Sequence, residues 1–423
     1  MKIFVIGGGG REHALVWKIA QSPLAEKIYC APGNAGIAEL AECVDIGVMD
    51  FEKLTSFAAA NQIDLTVVGM DDPLAGGIVD AFEAAGLKIF GPRKNAALLE
   101  SSKSFAKDFM KKYHIPTADY QTFHDPLKAR EYLNELSYPV VLKADGLAAG
   151  KGVLICGSKE EALSGIKEIM ESGKFGEAGS CLVAEEFLTG HEVSVLAFTD
   201  GRTIRTMTSA QDHKRALDGD KGLNTGGMGT FSPSPFYTDE IAAQCESEIF
   251  RPTVAAMERE GRIFQGVLFF GLMLTEAGPR LLEYNARFGD PETQVVLPRM
   301  ENDIVEVMEA CVDGTLDGVD LKFADNAALC VILASGGYPV KYETGKEISG
   351  LGSFAGSDGC FCFQAGTKRD GGKIVTNGGR VLGVTAVAPS LSLARRKAYD
   401  AAKRVSFDGM YCRSDIGKDF AEP

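Results

Sequence analysis

Four short stretches combine charged side chains with glycine in patterns that suit chemistry on phosphates or small anions. In the first, Lys143 ends an apolar run and is followed by Ala144-Asp145-Gly146-Leu147-Ala148-Ala149-Gly150-Lys151-Gly152-Val153. Two ammonium groups and the N–H groups of a loop with three glycines suit a polyphosphate. An ammonium about 4 Å from one phosphate charge contributes about 4 kcal/mol at an effective dielectric near 20. The stretch is not a G-x-x-x-x-G-K-[ST] loop, because Gly152 stands where Ser or Thr is required. A β-hairpin folding over phosphates and a plain glycine-rich surface hairpin both fit.

In the second stretch, Leu281 to Glu292, Glu283 and Asn285 stand two apart in a strand-like run and so share a face. A carboxylate and an amide oxygen are hard ligands suited to Mg²⁺, which takes few protein ligands and keeps positions for phosphate oxygens. Simple alternation on a solvated strand face reads the same way. Arg287, Asp290 and Glu292 follow in a loop placed to read a small charged substrate. The third stretch, Gly7-Gly8-Gly9-Gly10, is either an anion cradle or a tight turn. Glu12 occupies the third glycine position of G-x-G-x-x-G, which disfavours a nicotinamide dinucleotide. The fourth, Ser209 to Arg215, carries Asp212, His213 and Lys214 ahead of Asn224-Thr225-Gly226-Gly227-Met228-Gly229, where glycines permit close backbone approach. A solvated loop also looks like this. His13, His114, His124 and His191 show no metal-ligand spacing, and no G-x-S-x-G nucleophile turn occurs.

The elements that must position these residues follow from periodicity. Short apolar runs at Ile3–Ile6, Lys27–Cys30, Leu65–Gly69 and Lys88–Phe90 alternate with helical patterns at Glu12–Gln21 and Ile78–Ala85, the signature of a doubly wound α/β unit with a parallel sheet. Gly91-Pro92 closes it, so a boundary is expected near residue 95. Residues 115–187 give a compact α+β pattern of strands at Pro139–Lys143, Val153–Cys156 and Cys181–Phe187 around a helix at Lys159–Met170, a unit able to move as a lid. Strands follow at His191–Phe198, Gly266–Leu274 and Arg280–Asn285, with helices at Asp239–Glu260 and Asp303–Cys311. Gly336-Gly337-Tyr338-Pro339 opens a strand-rich tail that finishes with a helix at Leu391–Val405. The expected fold is α/β and α+β multidomain, with units 1–95, 96–325 and 326–423.

Composition excludes several classes. The chain has 423 residues, 45% hydrophobic and 24% charged, enough for about three globular domains and unlike a disordered protein. Its 44 Lys and Arg against 58 Asp and Glu give a net charge of -14, which repels nucleic acid and anionic membranes. An anionic metabolite must therefore bind where local cations reverse the field. Ten cysteines without a C-x-x-C pair point to reduced thiols rather than a disulfide framework. The start runs straight into glycines and leaves no room for a signal-peptide core, and uncharged runs such as 326–340 contain polar residues and are too short for a membrane span. A cytoplasmic location is expected.

Taken together, the motifs resemble the ATP-grasp superfamily and, within it, the glycinamide ribonucleotide synthetase family. The resemblance spans essentially the whole chain: GGREHAL at 9–15, APGNAG at 31–36, KIFGP at 88–92, KADGLAAGKGV at 143–153, QDHKR at 211–215, NTGGMG at 224–229 and RFGDPETQ at 287–294. It implies a Rossmann-like N-terminal domain, an ATP-grasp core with a mobile lid and a strand-rich C-terminal domain. It also implies a ligase that joins glycine to 5-phosphoribosylamine through glycyl phosphate, consuming ATP in de novo purine synthesis. Residue by residue, Lys103, Lys143, Gly150, Lys151 and Gly152 match the family's triphosphate groups. Glu185, Glu186 and Leu188 match its adenine hinge, with Glu192 on the ribose hydroxyls. Glu283 and Asn285 match ligands of Mg²⁺ or Mn²⁺. Arg287 and Asp290 are assigned to catalysis and to binding glycine and the ribosylamine, with Gly8, Gly9, Asp71, Asp212 and Arg380 assigned to the substrates beside them. The implied partners are small-molecule substrates, with neither nucleic acid nor membrane, and a monomer is one open option for its assembly. The family commonly reads G-P-E-x-P-L where this chain has Gly69-Met70-Asp71-Asp72-Pro73-Leu74, so the Asp71 carboxylate is one methylene shorter. Two other readings stay open: an ATP-grasp ligase activating bicarbonate or formate on a related ribonucleotide, and a regulator that holds ATP without turnover.

Overall fold

Lys2-Ile3-Phe4-Val5-Ile6-Gly7 is apolar on both faces, and such a run finds a place only in the middle of a covered parallel sheet. In the computed structural model, which describes residues 1–147, 152–356 and 359–420, this strand is β1 (Lys2–Gly7). It lies between β2 (Lys27–Pro32) and β4 (Leu65–Val68), with β3 (Glu42–Cys43) and β5 (Ile89–Phe90) at the edges. All four pairings are parallel and the strand order is β3-β2-β1-β4-β5, the expected doubly wound unit. The order reverses between β1 and β4, so the crevice beyond their carboxyl ends is where such a sheet receives a ligand. Gly7–Gly10 and Gly69–Asp71 sit at those ends.

The lid sheet has the order β6-β9-β7-β8, all antiparallel: β6 (Tyr120–Phe123), β7 (Val140–Ala144), β8 (Val153–Cys156) and β9 (Leu182–Glu186). With the helices Pro126–Asn134 and Lys159–Ile166 it encloses its own apolar core, among them Leu133, Leu142, Ile166 and Leu182. The rest of the chain shares cores across its units: Phe4 and Ile6 pack with Phe270, Leu281 and Tyr284 of the base. Among the described residues, this unit thus keeps an apolar core separate from those of the rest of the chain.

The base sheet runs β11-β10-β16-β17, with β10 (His191–Thr199), β11 (Ile204–Thr206), β16 (Gly266–Thr275) and β17 (Gly278–Asn285). β17 pairs Glu283 with Gly271 but Leu281 with Leu272, so Leu282 is an extra residue, a β-bulge. The bulge lets Leu281 and Tyr284 both enter the core while Glu283 and Asn285 share the other face. Without it, Leu281 would turn outward at a cost of about 2 kcal/mol.

The C-terminal sheet has the order β12-β15-β18-β22-β19, with β23 also on β18. Its strands are β12 (Gln211–Asp212), β15 (Gly229–Ser232), β18 (Ala327–Ser335), β19 (Cys360–Gln364), β22 (Arg380–Ala388) and β23 (Met410–Tyr411), backed by the helix Leu391–Ala402. All nine residues of β18 are buried, so it needs partners on both sides; β22 supplies one and β15 the other. The sheet therefore reaches across residue 326 and takes β12 and β15 from the preceding unit. Two ribbons complete the chain, β13 (Arg215–Leu217) with β14 (Lys221–Asn224) and β20 (Thr367–Asp370) with β21 (Lys373–Thr376). Among the described residues no helix is long and apolar enough to cross a membrane, and no two cysteines form a disulfide.

His13 joins the N-terminal and C-terminal units, accepting the Gln364 N–H on Nδ1 at 2.8 Å. Burial pushes its pKa down to about 4. The unfolded chain therefore binds the extra proton first, and stability is expected to fall as pH drops from about 6.5 to 4, by about 3 kcal/mol in all. Thermal melts from pH 7 to 4 should show this loss, and His13→Gln should flatten it; an unchanged pH dependence in that variant would refute the assignment.

Candidate active site

Glu283 projects from the bulged strand among cations. Burial opposes its ionisation, but Lys214, Lys143, Lys103 and Arg287 outweigh it and hold its pKa below the ordinary carboxylate value. Gly271 opposite leaves the space the side chain needs, since a Cβ there would sit 3.2 Å from Glu283 Cγ. Asn285 donates its Nδ2 to the Tyr284 carbonyl at 2.6 Å, which leaves Oδ1 as the free end of the amide.

Lys143, at the end of β7, is 6% exposed and reaches the Leu282 carbonyl at the bulge (3.4 Å) and Glu185 Oε1 (3.0 Å). Glu185 is also buried, and its Oε2 lies 2.9 Å from Lys107 Nζ. The contact of Lys143 with Oε1 is an ion pair without hydrogen-bond geometry, so this buried oxygen keeps an unused acceptor position. Burial pulls the Lys143 pKa down, but Glu185 and Glu283 more than offset it. For Lys107 burial wins and pushes it down to about 8. Lys103, at the start of the helix Lys103–Lys112, donates to the Gly146 carbonyl at 2.8 Å. Alternation along β9 puts Glu186 on the opposite, exposed side from Glu185, where its carboxylate accepts the Asp119 N–H at 3.4 Å.

Around the crevice, Arg287 pairs with Glu100 at 2.9 Å while Glu100 accepts the Ala286 N–H at 2.7 Å. Burial raises the Asp71 pKa, yet Arg287 and Arg11 bring it below normal. Arg11 itself binds the Phe288 carbonyl (3.0 Å) and Glu12 (2.6 Å). Glu12 caps its helix by accepting the Gly9 N–H at 2.6 Å, and its carboxylate fills the corner left by missing side chains at Gly7, Gly9 and Gly69. The substitution that breaks the dinucleotide fingerprint is thus an internal cap.

Asp290 joins three units. It accepts from Arg380 Nη2 (3.1 Å) and Gln294 (2.7 Å), and a Cβ on Gly9 would lie 3.7 Å from its Oδ2. Arg380 Nη1 also binds the carbonyls of Asp290 (2.9 Å) and Gly226 (2.7 Å). Asp212 packs under Gly227, where an added Cβ would stand 2.7 Å from its Oδ1. Burial and Glu292 push the Asp212 pKa well up. Lys214 Nζ lies 3.2 Å from Glu192.

Models of one family match almost the entire chain: the N domain of phosphoribosylglycinamide synthetase over residues 1–100, its ATP-grasp (A) domain over 101–293 and its C domain over 328–419. The chain belongs to this family. Phosphoribosylamine–glycine ligase of Caldanaerobacter subterraneus is 49% identical over 420 residues, 99% of this chain and 100% of the relative. That of Clostridium acetobutylicum is 50% identical over 418 residues, again 99% and 100%. The crystal structure of the Thermotoga maritima phosphoribosylamine–glycine ligase is 36% identical with a TM-score of 0.86, covering 98% of this chain and 100% of that one. The phosphoribosylglycinamide synthetase fold is shared at 17% identity and TM-score 0.76 by the biotin carboxylase domain of Hydrogenobacter thermophilus 2-oxoglutarate carboxylase, over 97% and 91% of the two chains.

Of the site residues expected from the sequence, Lys103, Lys143, Glu283 and Arg287 form one electrostatic cluster, and Asp290, Arg380, Asp212 and Gly9 meet at a second. Gly8 lies against the Gly33 carbonyl, Leu188 just beyond β9, and Gly152 is buried with its carbonyl on the Ala144 N–H. Gly150 and Lys151 lie outside the described residues. Lys107, Glu100 and Arg11 were not expected. Lys107 stands one helical turn from Lys103, a spacing that places both on one face; Glu100 and Arg11 carry no comparable signal. His213 turns Nδ1 to the Gly229 carbonyl at 3.3 Å, an internal partner for a ring that stood as a candidate.

Proposed function

We propose that this chain joins glycine to 5-phosphoribosylamine at the expense of ATP, with Glu283 and its ring of cations as the phosphoryl-transfer centre. The observation that carries this reading is one carboxylate held ionised by Lys214, Lys143, Lys103 and Arg287. Phosphoryl transfer asks of a protein mainly positioning and neutralisation of charge. Lys103 and Lys143 bind the triphosphate, with Gly150, Lys151 and Gly152 closing over it. Adenine lies along Glu185 to Leu188, where the spare acceptor on Glu185 Oε1 suits an amino group, and Glu192 takes the ribose hydroxyls.

Among the described residues no three His, Cys, Asp or Glu side chains are placed to cage a metal. Two hard oxygens, from Glu283 and Asn285, fit an ion that completes its shell with phosphate oxygens. Mg²⁺ or Mn²⁺ held by these two residues would supply neutralisation of phosphate charge. Arg287 orients the glycine carboxylate, whose oxygen bonds to the γ-phosphorus as ADP leaves. The amine of phosphoribosylamine then bonds to the acyl carbon as phosphate leaves and the nitrogen loses a proton. Gly8, Gly9, Asp71, Asp212, Asp290 and Arg380 hold the phosphoribosyl partner, and the lid, 115–187, keeps water from the acyl phosphate.

Phosphate release from Mg-ATP tests the reading directly. Release is expected only when glycine and freshly made 5-phosphoribosylamine are both present. Release driven by bicarbonate or formate would assign a different acid, and binding of ATP without release would make the chain a regulator.

A further inference from the structure

Arg413 is the bulkiest of the fully buried side chains, 1% exposed, and lies in none of the stretches assigned above. Four of its five N–H donors are paired. Nε and Nη2 grip both oxygens of Asp415 (2.7 and 2.8 Å), and Nη1 binds Asp220 (2.8 Å) and the Arg215 carbonyl (3.0 Å). The planar fork makes such a two-pronged grip specific to arginine. Asp220 holds a left-handed backbone with φ 51°, a conformation an aspartate tolerates but that needs a partner to fix it. The neighbours of Arg413 reinforce the grip: Ser414 N–H donates to Asp218 (2.8 Å), and Gly219 N–H donates to Asp415 (2.7 Å).

One side of this clamp is the ribbon β13–β14, and the other is the helix Leu391–Ala402. Tyr399 donates its hydroxyl to the Arg413 carbonyl (2.8 Å), and Arg395 donates to the carbonyls of Ser414 (2.7 Å) and Ile416 (3.0 Å). The ribbon's base is the candidate active site. The Arg215 carbonyl gripped by Arg413 is one residue from Lys214, whose own carbonyl accepts the Thr225 N–H at 2.8 Å. Lys214 reaches Glu192, and the next turn, Gly226 and Gly227, supplies carbonyls to Arg380. A ribbon free to pivot would move all of these groups together.

We infer that Arg413 is a positioning residue: through the Arg215 carbonyl, Asp220 and Asp415 it ties the ribbon to the C-terminal helix and so sets Lys214 and Arg380. What it positions rests on the ligase reading, whereas the clamp itself does not.

The test uses the full chain with Arg413→Gln, and with Asp218→Ala as a milder release at the exposed ribbon tip. Amide exchange over residues 213–228, phosphate release, ATP affinity by calorimetry and thermal melting are measured for each. In Arg413→Gln, ribbon exchange is expected to rise at least about tenfold, since losing even one of the charge-assisted hydrogen bonds accounts for that much. kcat is expected to fall about 100-fold, as a misplacement near 1 Å would cause. ATP affinity is expected to fall much less than kcat, since the ribbon reaches ATP only through Lys214 and Glu192 at the ribose while the triphosphate lysines lie elsewhere, and Asp218→Ala shifts exchange and kcat the same way by less. A purely structural role would lower ATP affinity and kcat together. Unchanged ribbon exchange, or a loosened ribbon with native kcat, overturns the inference; if Arg413→Gln does not fold, Asp218→Ala decides. A native chain that releases no phosphate with glycine and phosphoribosylamine would instead sink the ligase reading, leaving exchange to judge the clamp.

Discussion

Glu283→Ala is expected to lower turnover about 1,000-fold or more at saturating Mg²⁺, the scale of losing a fixed charge at a transferring phosphoryl group. The fold should survive, because every cation around Glu283 that makes a close ion pair makes it with another carboxylate. Lys143 lies 3.0 Å from Glu185, Lys214 3.2 Å from Glu192 and Arg287 2.9 Å from Glu100. The half-buried side chain contributes little apolar burial, so Tm should stay within about 1 °C of native, a change near 1 kcal/mol for a chain of this size. Glu283→Gln should lose nearly as much activity, because the amide keeps the shape and removes the charge. Native turnover in either variant would end the metal-ligand assignment.

How far these residues could be read before the fold was seen depended on whether their role is local. The stretch from β1 through the four glycines to the helix Gly10–Ile19 announces itself, since a strand, a tight turn and a helix have different periods within twenty residues. The strands β7, β8 and β9 and the helix Lys159–Ile166 were legible for the same reason, whereas β6 and the helix Pro126–Asn134, which close the same core, were not anticipated. The helix Phe51–Asn61 was missed although its signal stood in the sequence: Asp50 caps it by accepting the Lys53 N–H. Other features had no local signal. The bulge at Leu282 exists because Leu281 and Tyr284 must both reach a core built with Phe270 and with Phe4, the latter hundreds of residues away. β12 and β15 join the C-terminal sheet because β18 needs a second partner, which no window around residue 211 or 229 reveals. Glu100 meets Arg287 only because folding sets the two together, and Glu185 reads as one of a pair until alternation sends its side chain inward and that of Glu186 out.

Lys143→Met is expected to raise the KM for ATP about 100-fold while leaving that for glycine within about threefold. One ammonium close to a phosphate is worth about 4 kcal/mol at the upper end of surface-like screening, and half of that already exceeds a tenfold change. Methionine keeps the aliphatic stem that fills the space beneath β17. Removing one partner of a buried ion pair ordinarily costs about 3–5 kcal/mol, because a charge is stranded. Here Glu185 is not stranded, since Lys107 remains 2.9 Å from its other oxygen and donates to Thr117 at 2.8 Å. The loss also relieves Lys107: after burial, which dominates, Lys143 is a further influence lowering its pKa, so in the variant Lys107 should hold its proton more firmly than the native value of about 8. Stability near pH 8 should therefore drop less than the stranded-charge figure, and the defect should appear in ATP binding rather than in folding. Equal losses for ATP and glycine would mean that Lys143 serves the lid's structure, with its ion pair to Glu185 as the reason it is buried.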